Sequence, residues 1–254
     1  MTEGSVRIED LADRFDVSLM TIHRDLDELA GRGILRKARG VATATSTSLV
    51  ESSDVYRSNR QAREKEAVAI AALDYIEPGQ AIFLDDSTTV MRIAPHLADK
   101  APLTVITNVL TLMNELRDTH GITLIGLGGN YYNWCSAFMG PMTRHAISQF
   151  RADTFLMSTS AIANDQVFHQ YLETVETKRA MFEAADRRLL LVDHTKFERR
   201  ALHAMLPLKD FDAVIVDDQT SPGTIQGLED RGINVVVASS ATPGHRRTIE
   251  KHLG

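Results

Sequence analysis

The sequence VSLMTIHRDLDELAGRGILRKARGVA at residues 17–42 decides the fold of the N-terminal part of the chain. Ser18 is a residue type that begins helices, because its hydroxyl accepts a hydrogen bond from a backbone N–H of the first turn. Apolar residues then recur at helical spacing, namely Ile22, Leu26 and Leu29. Two glycines, Gly31 and Gly33, end this pattern. The stretch predicts a helix that begins after Ser18 and buries one side.

A further helix and a hairpin are predicted on either side of this helix. Residues 8–15, IEDLADRF, place apolar side chains at positions i, i+3, i+4 and i+7. Residues 34–44, ILRKARGVATA, read as two short strands around a basic turn that contains Arg36, Lys37, Arg39 and Gly40. Two short helices followed by a small hairpin are the outline of a winged helix-turn-helix, a unit that reads DNA with its second helix.

Side chains suited to DNA lie on this second helix and on the wing. The start of the helix enters the major groove in such units, and wing cations suit phosphates or the minor groove. The candidate DNA-binding residues are Ser18, Thr21, His23, Arg24, Arg36, Lys37 and Arg39. An alternative is a generic helical module with a solvated charged face, because residues 18–39 hold five cations against three anions.

Composition excludes several classes of protein. The net charge of −6 argues against a general nucleic-acid coat, which carries a basic excess. A run of eighteen apolar residues does not occur, and the first residues do not form a secretory signal, so we expect a cytoplasmic protein with no membrane partner. Cys135 is the only cysteine, which excludes a disulfide within the chain and argues against a zinc site built from cysteines. We expect Cys135 to be buried as a small apolar residue.

The sequence changes its pattern after a polar linker rich in serine and threonine. We predict a DNA-binding domain at residues 1–45, a linker at 46–63 that is helical near its end, and a second domain at 64–254. In that domain helix-length segments alternate with short apolar strands, which is typical of a largely parallel sheet covered by helices on both faces. The predicted strands are 81–85, 103–107, 122–127, 154–158, 189–193, 213–217 and 233–238.

Polar residues follow these strands at the sheet edge where such folds bind ligands. Hydroxyls and free N–H groups at a helix start can hold a phosphate, glycines allow a close approach of the backbone, and lysines pair with anions. The candidate binding residues are Asp85, Ser87, Thr88, Thr89, Asn108, Gly128, Gly129, Glu176, Lys178 and Lys196. Taken singly, they also fit helix caps, turns, bends and solvated charges. Taken together, they predict a site for a small phosphorylated polyol.

Nearly the whole chain resembles the DeoR family of bacterial regulators. Residues 17–42 are similar to the family's helix-turn-helix and wing sequence, with His23 in place of the first arginine of a pair. Arg39 stands where the family has a wing histidine, and Val41 where it has the second wing glycine. The resemblance implies a sensor domain related in fold to ribose-5-phosphate isomerase and CoA transferases.

The family's sensor motifs also have counterparts in this sequence. They are Asp85-Asp86-Ser87-Thr88-Thr89, Thr107-Asn108, Gly128-Gly129, Thr159-Ser160, Glu176 with Lys178, and Asp193 with Lys196 and Phe197. Three positions depart from the family pattern, namely Ser87, Val109 and Ser160. The retained lysines and threonines imply a phosphorylated ligand, and the departures imply that its shape differs from that of the commonest effectors or that its affinity is lower.

The resemblance implies a repressor of a carbohydrate or polyol catabolic operon that a phosphorylated sugar releases from operator DNA. We expect a homodimer or homotetramer, because such readers bind paired half-sites, and we expect no metal, cofactor or enzymatic activity. Two alternatives remain, a sugar-phosphate isomerase-like enzyme and a regulator that acts through a protein partner. Family members also begin with a further helix, so we expect the natural start to lie upstream of Met1 or the DNA-binding unit to be reduced.

Overall fold

A computed structural model describes residues 5–31, 35–44 and 53–240 of the chain. The first two ranges form a small winged unit. Its elements are, in chain order, β1 (Ser5–Arg7), α1 (Ile8–Phe15), α2 (Leu19–Gly31), β2 (Leu35–Ala38) and β3 (Val41–Ala44). The strands pair antiparallel in the order β1-β3-β2. The apolar side chains that the helices and the sheet bury together are Ile8, Ala12, Ile22, Leu26 and Ala42.

The winged helix-turn-helix prediction is confirmed, with two local corrections. Ser18 caps α2, because its Oγ accepts a hydrogen bond from the Thr21 backbone N–H at 3.2 Å. Arg36 and Lys37 lie within β2 and not in the turn. The turn itself is Arg39-Gly40, where both residues have positive φ angles of 51° and 75°, the backbone that a two-residue hairpin requires. Strand β1 was not predicted, because three residues are too few to show alternation.

The larger domain continues the chain with strands and helices in alternation. Its strands are β4 (Ala81–Leu84), β5 (Leu103–Thr107), β6 (Ile122–Gly126), β7 (Asn130–Tyr132), β8 (Ala137–Met139), β9 (Ala152–Met157), β10 (Ala161–Ala163), β11 (Gln166–His169), β12 (Ala185–Val192), β13 (His203–Pro207), β14 (Ala213–Asp217) and β15 (Val235–Ala238). Its α-helices are α3 (Asp54–Ser58), α4 (Ala62–Ala72), α5 (Leu110–Leu116), α6 (Pro141–Ile147), α7 (Leu172–Glu183) and α8 (Pro222–Glu229). Its 3-10 segments are Leu73–Tyr75, Val90–Lys100, His194–Phe197 and Leu208–Asp210.

A seven-stranded sheet forms the centre of this domain, in the order β15-β14-β12-β9-β4-β5-β6. Every neighbouring pair in it is parallel. All seven predicted strands are present, so the prediction of a largely parallel sheet is confirmed. Strands β9 and β12 begin a few residues earlier than predicted and β15 begins two residues later. Because the strands are parallel, their carboxyl ends meet at one edge, where polar residues follow them.

Apolar side chains cover both faces of the sheet, as predicted. Ile82 and Leu84 pack on one face with residues of α4 and α5, whereas Phe83 between them packs on the other face with residues of α6, α7 and α8. This alternation follows from the period of two residues along a strand. Cys135 is fully buried, as predicted, in the first of these clusters.

Two smaller sheets were not predicted. Strands β10, β11 and β13 form a three-stranded antiparallel sheet, and β7 pairs with β8 as a hairpin. Strands β7, β8 and β10 have only three residues each, and β11 and β13 begin with polar side chains and hold only two or three consecutive apolar residues, so none shows a clear apolar pattern. They matter for the site, because the connection from β9 to β10 and the end of β11 both reach the carboxyl edge of the large sheet.

The predicted linker at 46–63 lies partly outside the described residues. Its described part contains α3 and the start of α4. The boundaries 1–45, 46–63 and 64–254 stay predictions, as does the expectation about a helix upstream of Met1. No helix in the described ranges is long and apolar enough to cross a membrane.

Candidate functional site

A cavity lies at the carboxyl ends of the central strands, and we call it the strand-end cavity. The segment after β4 contributes Asp86, Ser87, Thr88 and Thr89, and the segment after β9 contributes Ser158, Thr159 and Ser160. Four further side chains complete the lining, namely Arg57 of α3, His169 of β11, Lys178 of α7 and Lys196. The lining is therefore made almost wholly of hydroxyl and charged groups. Such groups suit a small anionic, hydroxylated ligand.

Asp85 fixes the segment that carries the first hydroxyls. Its Oδ1 accepts hydrogen bonds from the Ser87 backbone N–H at 2.9 Å and from the Ser87 hydroxyl. Its Oδ2 accepts a hydrogen bond from the backbone N–H of Ser158 at 2.9 Å. One carboxylate thus joins the ends of β4 and β9 beneath the cavity. Asp85 positions the site and does not line it.

Lys178 is held by two buried carboxylates at the floor of the cavity. Its Nζ lies 2.7 Å from Asp85 Oδ2 and 3.1 Å from Asp86 Oδ1, and it donates a hydrogen bond to the Ser158 carbonyl. Burial disfavours the charge of Lys178, but the two carboxylates outweigh it and raise its pKa. Burial raises the pKa of Asp85 despite the attraction of Lys178. Burial also acts against the Asp86 charge, but Lys178, His169 and Arg57 outweigh it and lower the pKa of Asp86.

Two further lysines, Lys65 and Lys196, lie near Thr88 and close enough for their charges to interact. Lys65 of α4 donates a hydrogen bond to Thr88 Oγ1 at 3.0 Å. Burial, and then the charge of Lys196, lower the pKa of Lys65 to about 7. Asp193 caps the segment that carries Lys196 by accepting a hydrogen bond from Thr195 N at 3.1 Å. Burial opposes the charge of Asp193, but Lys196, the hydrogen bond from Thr195 and Lys65 together outweigh it and lower the pKa of this carboxyl.

One hydroxyl of the lining is buried without a partner. Ser158 Oγ is inaccessible to solvent and makes no hydrogen bond to any described residue. Buried hydroxyls are almost always satisfied, so an orphaned one in a polar cavity indicates a place for a ligand group or a water. The hydroxyls of Ser158, Thr88 and Thr89 can donate hydrogen bonds to a phosphate, whereas the Ser87 hydroxyl already donates to Asp85.

The structure brings together six of the ten predicted binding residues. Ser87, Thr88, Thr89, Lys178 and Lys196 line the cavity, and Asp85 supports it from below. The other four lie elsewhere, namely Asn108, Gly128, Gly129 and Glu176.

Each of these four has a local structural role. Asn108 donates a hydrogen bond to the Phe138 carbonyl at 2.7 Å, and the Gly128 carbonyl accepts one from Thr143. Gly129 has a φ of 150° and packs against Thr143 and Met139. Glu176 pairs with Arg144 at 2.6 Å. Their role in ligand binding stays a prediction.

The predicted binding residues did not include six residues of the lining, namely Arg57, Asp86, Ser158, Thr159, Ser160 and His169. Of these, Asp86, Thr159 and Ser160 belong to the sensor motifs named in the family resemblance. The serines and threonine directly follow β9, just as Asp85-Asp86 follow β4, so the same strand-end rule could have found them. His169 is the last residue of β11, a strand of the three-stranded sheet that was not predicted. Arg57 lies in the predicted linker, and no pattern there indicated a site.

The winged unit presents most of its predicted DNA-binding residues on its surface. Ser18, His23, Arg24, Arg36 and Arg39 are exposed, and Thr21 is half-buried. Arg24 lies beside Asp25 with Nε 3.4 Å from the carboxylate. His23 and Arg39 line one surface groove between α2 and the turn of the wing.

Lys37 is the predicted contact whose charge is most engaged within the unit. Its Nζ lies 2.6 Å from Asp27 and 3.2 Å from His23 Nδ1, which ties β2 to α2. A DNA phosphate would have to compete with Asp27 for this ammonium. The more exposed candidates on the helix and wing are therefore Arg24, Arg36 and Arg39.

A winged helix-turn-helix in one chain with an α/β domain that bears a polar cavity defines the class of ligand-responsive DNA-binding proteins. Residues 1–48 match the family model of the DeoR-like helix-turn-helix domain, and residues 60–218 match that of the DeoR C terminal sensor domain. The chain belongs to the DeoR family and is a DNA-binding transcription regulator.

Curated relatives match most of the chain. The glycerol-3-phosphate regulon repressor of Escherichia coli K12 is 33% identical over 92% of this chain and 92% of its own. The lactose phosphotransferase system repressor of Staphylococcus epidermidis is 31% identical over 85% of this chain and 86% of its own. Among solved structures, ribose 5-phosphate isomerase A of Methanocaldococcus jannaschii is 13% identical with a TM-score of 0.41, over 54% of this chain and 55% of its own.

Proposed function

We propose that the chain represses a carbohydrate or polyol catabolic operon and leaves operator DNA when a phosphorylated sugar or polyol binds the strand-end cavity. The observation that carries this proposal is the cavity itself, in which Lys178 and Lys196 face the hydroxyls of Ser87, Thr88 and Thr89. Ammonium groups, hydroxyls and backbone N–H groups are the donors that phosphate oxygens accept from. The names of the two repressors among the relatives, of a glycerol-3-phosphate regulon and of a lactose phosphotransferase system, support the same ligand class.

The proposed control is linkage between two sites of one chain. If the ligand weakens DNA binding by some factor, DNA weakens ligand binding by the same factor. We propose a homodimer or homotetramer, because helix-turn-helix proteins read paired half-sites and because residues 18–39 hold only five cations against three anions. The proposed location is the cytoplasm, and the proposed domains are 1–45, 46–63 and 64–254.

Fluorescence anisotropy tests the proposal directly. Labelled DNA from upstream of the protein's own operon is titrated with the full chain at one stated salt concentration, because such affinities depend steeply on salt. A panel of sugar and polyol phosphates is then added, with the unphosphorylated parent compounds as controls. We expect one phosphate ester to release the DNA while its parent compound does not. Tight DNA binding that no ester of the panel changes would contradict the proposal.

We also propose that the chain is not an enzyme. An isomerase-like reaction would need acid and base groups around one substrate, and the candidates were Asp85, Glu176, Lys178 and Lys196. Asp85 and Lys178 neutralise each other at 2.7 Å, and Glu176 is paired with Arg144 outside the cavity. Purified protein is expected not to turn over ribose 5-phosphate, and turnover above the rate in buffer would revive the enzyme alternative.

Replacing Lys196 by alanine should weaken the response to the ligand and leave DNA binding intact. A hydrogen bond to a charged group contributes about 1.5–3 kcal/mol, so the concentration of ester needed for half-release should rise about tenfold or more. Anisotropy with the releasing ester measures this shift. Lys209→Ala, which removes an exposed lysine outside the cavity, is the matched control. An unchanged half-release concentration in Lys196→Ala would remove Lys196 from the site.

Replacing Arg24 by alanine should act on the opposite function. Arg24 is exposed near the start of α2, and a bidentate contact to a base contributes about 1–3 kcal/mol, so operator affinity should fall about fivefold or more. The ester should still raise the melting temperature of this variant, because the cavity is untouched. Arg117→Ala removes an exposed arginine of the sensor domain and serves as the control. Wild-type operator affinity in Arg24→Ala would exclude Arg24 as a DNA contact.

A further inference from the structure

Helix α3 is the first described element after the winged unit, and it is docked beside the strand-end cavity. Ser53 begins the helix by accepting a hydrogen bond from Tyr56 N. The backbone N–H of Asp54 donates to the carbonyl of Trp134 at 2.9 Å. The guanidinium of Arg57 lies 5.6 Å from the centroid of the Trp134 ring, within the range of a cation–π contact. Helix α3 is thus held against the residue that joins β7 to β8.

The carbonyls at the end of α3 are bound by two cations of the sensor domain. The Arg57 carbonyl accepts a hydrogen bond from Lys65, and the Ser58 carbonyl accepts one from Arg92 at 2.7 Å. Lys65 is the same side chain that binds Thr88 Oγ1. A single ammonium therefore connects the end of α3 with a hydroxyl of the cavity lining.

The side chain of Arg57 is itself part of the cavity lining, together with Ser87, Thr88 and Lys178. Its charge acts on the floor of the cavity, where burial opposes the Asp86 charge but Lys178, His169 and Arg57 together lower the pKa of that carboxyl. A planar guanidinium binds phosphate oxygens through two parallel N–H donors. Arg57 therefore supplies a phosphate-binding group from the segment that leads to the winged unit.

The cavity is narrow for a sugar phosphate, so full entry of such a ligand calls for a local movement. Its volume is about 10 Å³, close to the space that a single water needs. The sheet side is fixed, because Asp85 ties Ser87, Ser158 and Lys178 together by buried hydrogen bonds. Helix α3 has only Asp54 buried, whereas Val55 and Tyr56 are 73% and 53% exposed. An element with so little buried apolar surface yields more easily than the sheet.

We propose that Arg57 is a phosphate-binding residue of the strand-end cavity and that α3 changes position when a phosphorylated ligand enters. This inference rests on the proposed function, because it assumes that the cavity takes a phosphate. It makes the coupling to the winged unit direct, since the element that binds the ligand also belongs to the segment between the two domains. Sequence position alone gave no sign of this role.

The chain carries its own probe for the test, since Trp134 is the only tryptophan and lies against Arg57. Inorganic phosphate is titrated into the full chain while Trp134 emission and the melting temperature are recorded. We expect a saturable change of emission in the wild type. Arg57→Ala should raise the Kd for phosphate about tenfold or more, as expected for a charged hydrogen bond. Arg57→Lys, which keeps the charge without the planar fork, should lie between the two. Arg63→Ala, an exposed arginine of α4, should behave as the wild type.

The outcomes separate this inference from the proposed function. If phosphate and sugar phosphates bind wild type and both Arg57 variants with equal affinity, the proposed function stands and Arg57 is excluded as a ligand. If phosphate raises the melting temperature but Trp134 emission stays constant, the movement of α3 is refuted. If neither inorganic phosphate nor any ester binds the wild type, the proposed function fails and this inference fails with it. Should Arg57→Ala not fold, Arg57→Lys decides the case.

Discussion

Replacing Lys178 by methionine is expected to lower the free energy of unfolding by about 3–5 kcal/mol, the typical effect of removing one partner from a buried ion pair. The side chains of Lys178, Asp85 and Asp86 are each at most 4% exposed. Methionine fills much of the same volume but leaves two carboxylates buried without their ammonium. Chemical denaturation of the full chain, followed by circular dichroism, measures the loss.

The pH dependence of this loss tests its cause. Without the ammonium, burial and mutual repulsion raise the pKa of the two carboxyls in the folded state. A raised folded-state pKa stabilises the fold at low pH, and this stabilisation is lost as the pH rises through that pKa. The destabilisation by Lys178→Met should therefore be smaller at pH 5 than at pH 8. Adding Asp85→Asn should recover part of the loss, whereas Lys209→Met, on an exposed lysine, should change little. A loss independent of pH that Asp85→Asn does not reduce would contradict the ion-pair account.

The architecture was predictable from the sequence because its patterns are local. Each core strand is a short apolar run bounded by polar residues, and runs such as residues 103–107 and 213–217 coincide with the observed strands. The alternation of such runs with helix-length segments predicts a parallel sheet, and a parallel sheet places the strand ends at one edge. The location of Ser87, Thr88 and Thr89 at the cavity follows from this topology alone.

The remaining part of the site depends on tertiary contacts that no local pattern contains. Arg57 reaches the cavity because α3 docks on Trp134. The two residues are 77 positions apart in the sequence, so no local pattern indicates this contact. His169 reaches it because β11 pairs with β10 and β13, strands too short to predict. The two kinds of miss have one origin, since both residues are placed by elements whose apolar pattern is too brief to read.

Four predicted binding residues lie outside the cavity, and three of them, Asn108, Gly128 and Gly129, follow strands of the central sheet. Glu176 is two residues from Lys178 on α7, so the two side chains point to different sides of the helix, and Glu176 meets Arg144 instead. Asn108 follows β5 but turns its amide to the Phe138 carbonyl of the hairpin β7–β8. The rule locates the edge of the sheet, and local packing then decides which side chains face the ligand.

The electrostatics of the two units have different consequences. The winged unit gains little from net charge, because Lys37 is paired with Asp27 and the whole chain is acidic. Steering to DNA is then weak. The homodimer or homotetramer that we propose would add affinity by joining two winged units. The cavity, in contrast, gathers cations from α3, α7 and the 3-10 segment after β12, and of these Lys178 is neutralised by Asp85 and Asp86.

Replacing Gly129 by alanine is expected to destabilise the sensor domain by about 2–4 kcal/mol, through overpacking and a strained backbone. A Cβ at this position would overlap Thr143 Oγ1 and lie 2.8 Å from the Met139 carbonyl oxygen. The φ angle of 150° at Gly129 is also one that other residues rarely adopt. Thr143 cannot move freely, because its hydroxyl donates to the Gly128 carbonyl at 2.8 Å. The midpoint of chemical denaturation of the full chain measures the effect.

Gly128→Ala is the matched control, because the neighbouring position has no atom within 4 Å of an added Cβ. Gly128→Ala should leave the free energy of unfolding within about 0.5 kcal/mol of the wild-type value, as surface substitutions do.

The comparison of the two variants also separates two explanations for the glycine pair. If close packing explains the glycine pair, only Gly129→Ala is destabilised, and the ester releases Gly128→Ala from DNA as it releases the wild type. If a close approach of the ligand explains it, Gly128→Ala folds normally but loses its response to the ester. The contacts of Thr143 and Met139 favour the first outcome, and equal stability of the two variants would contradict it.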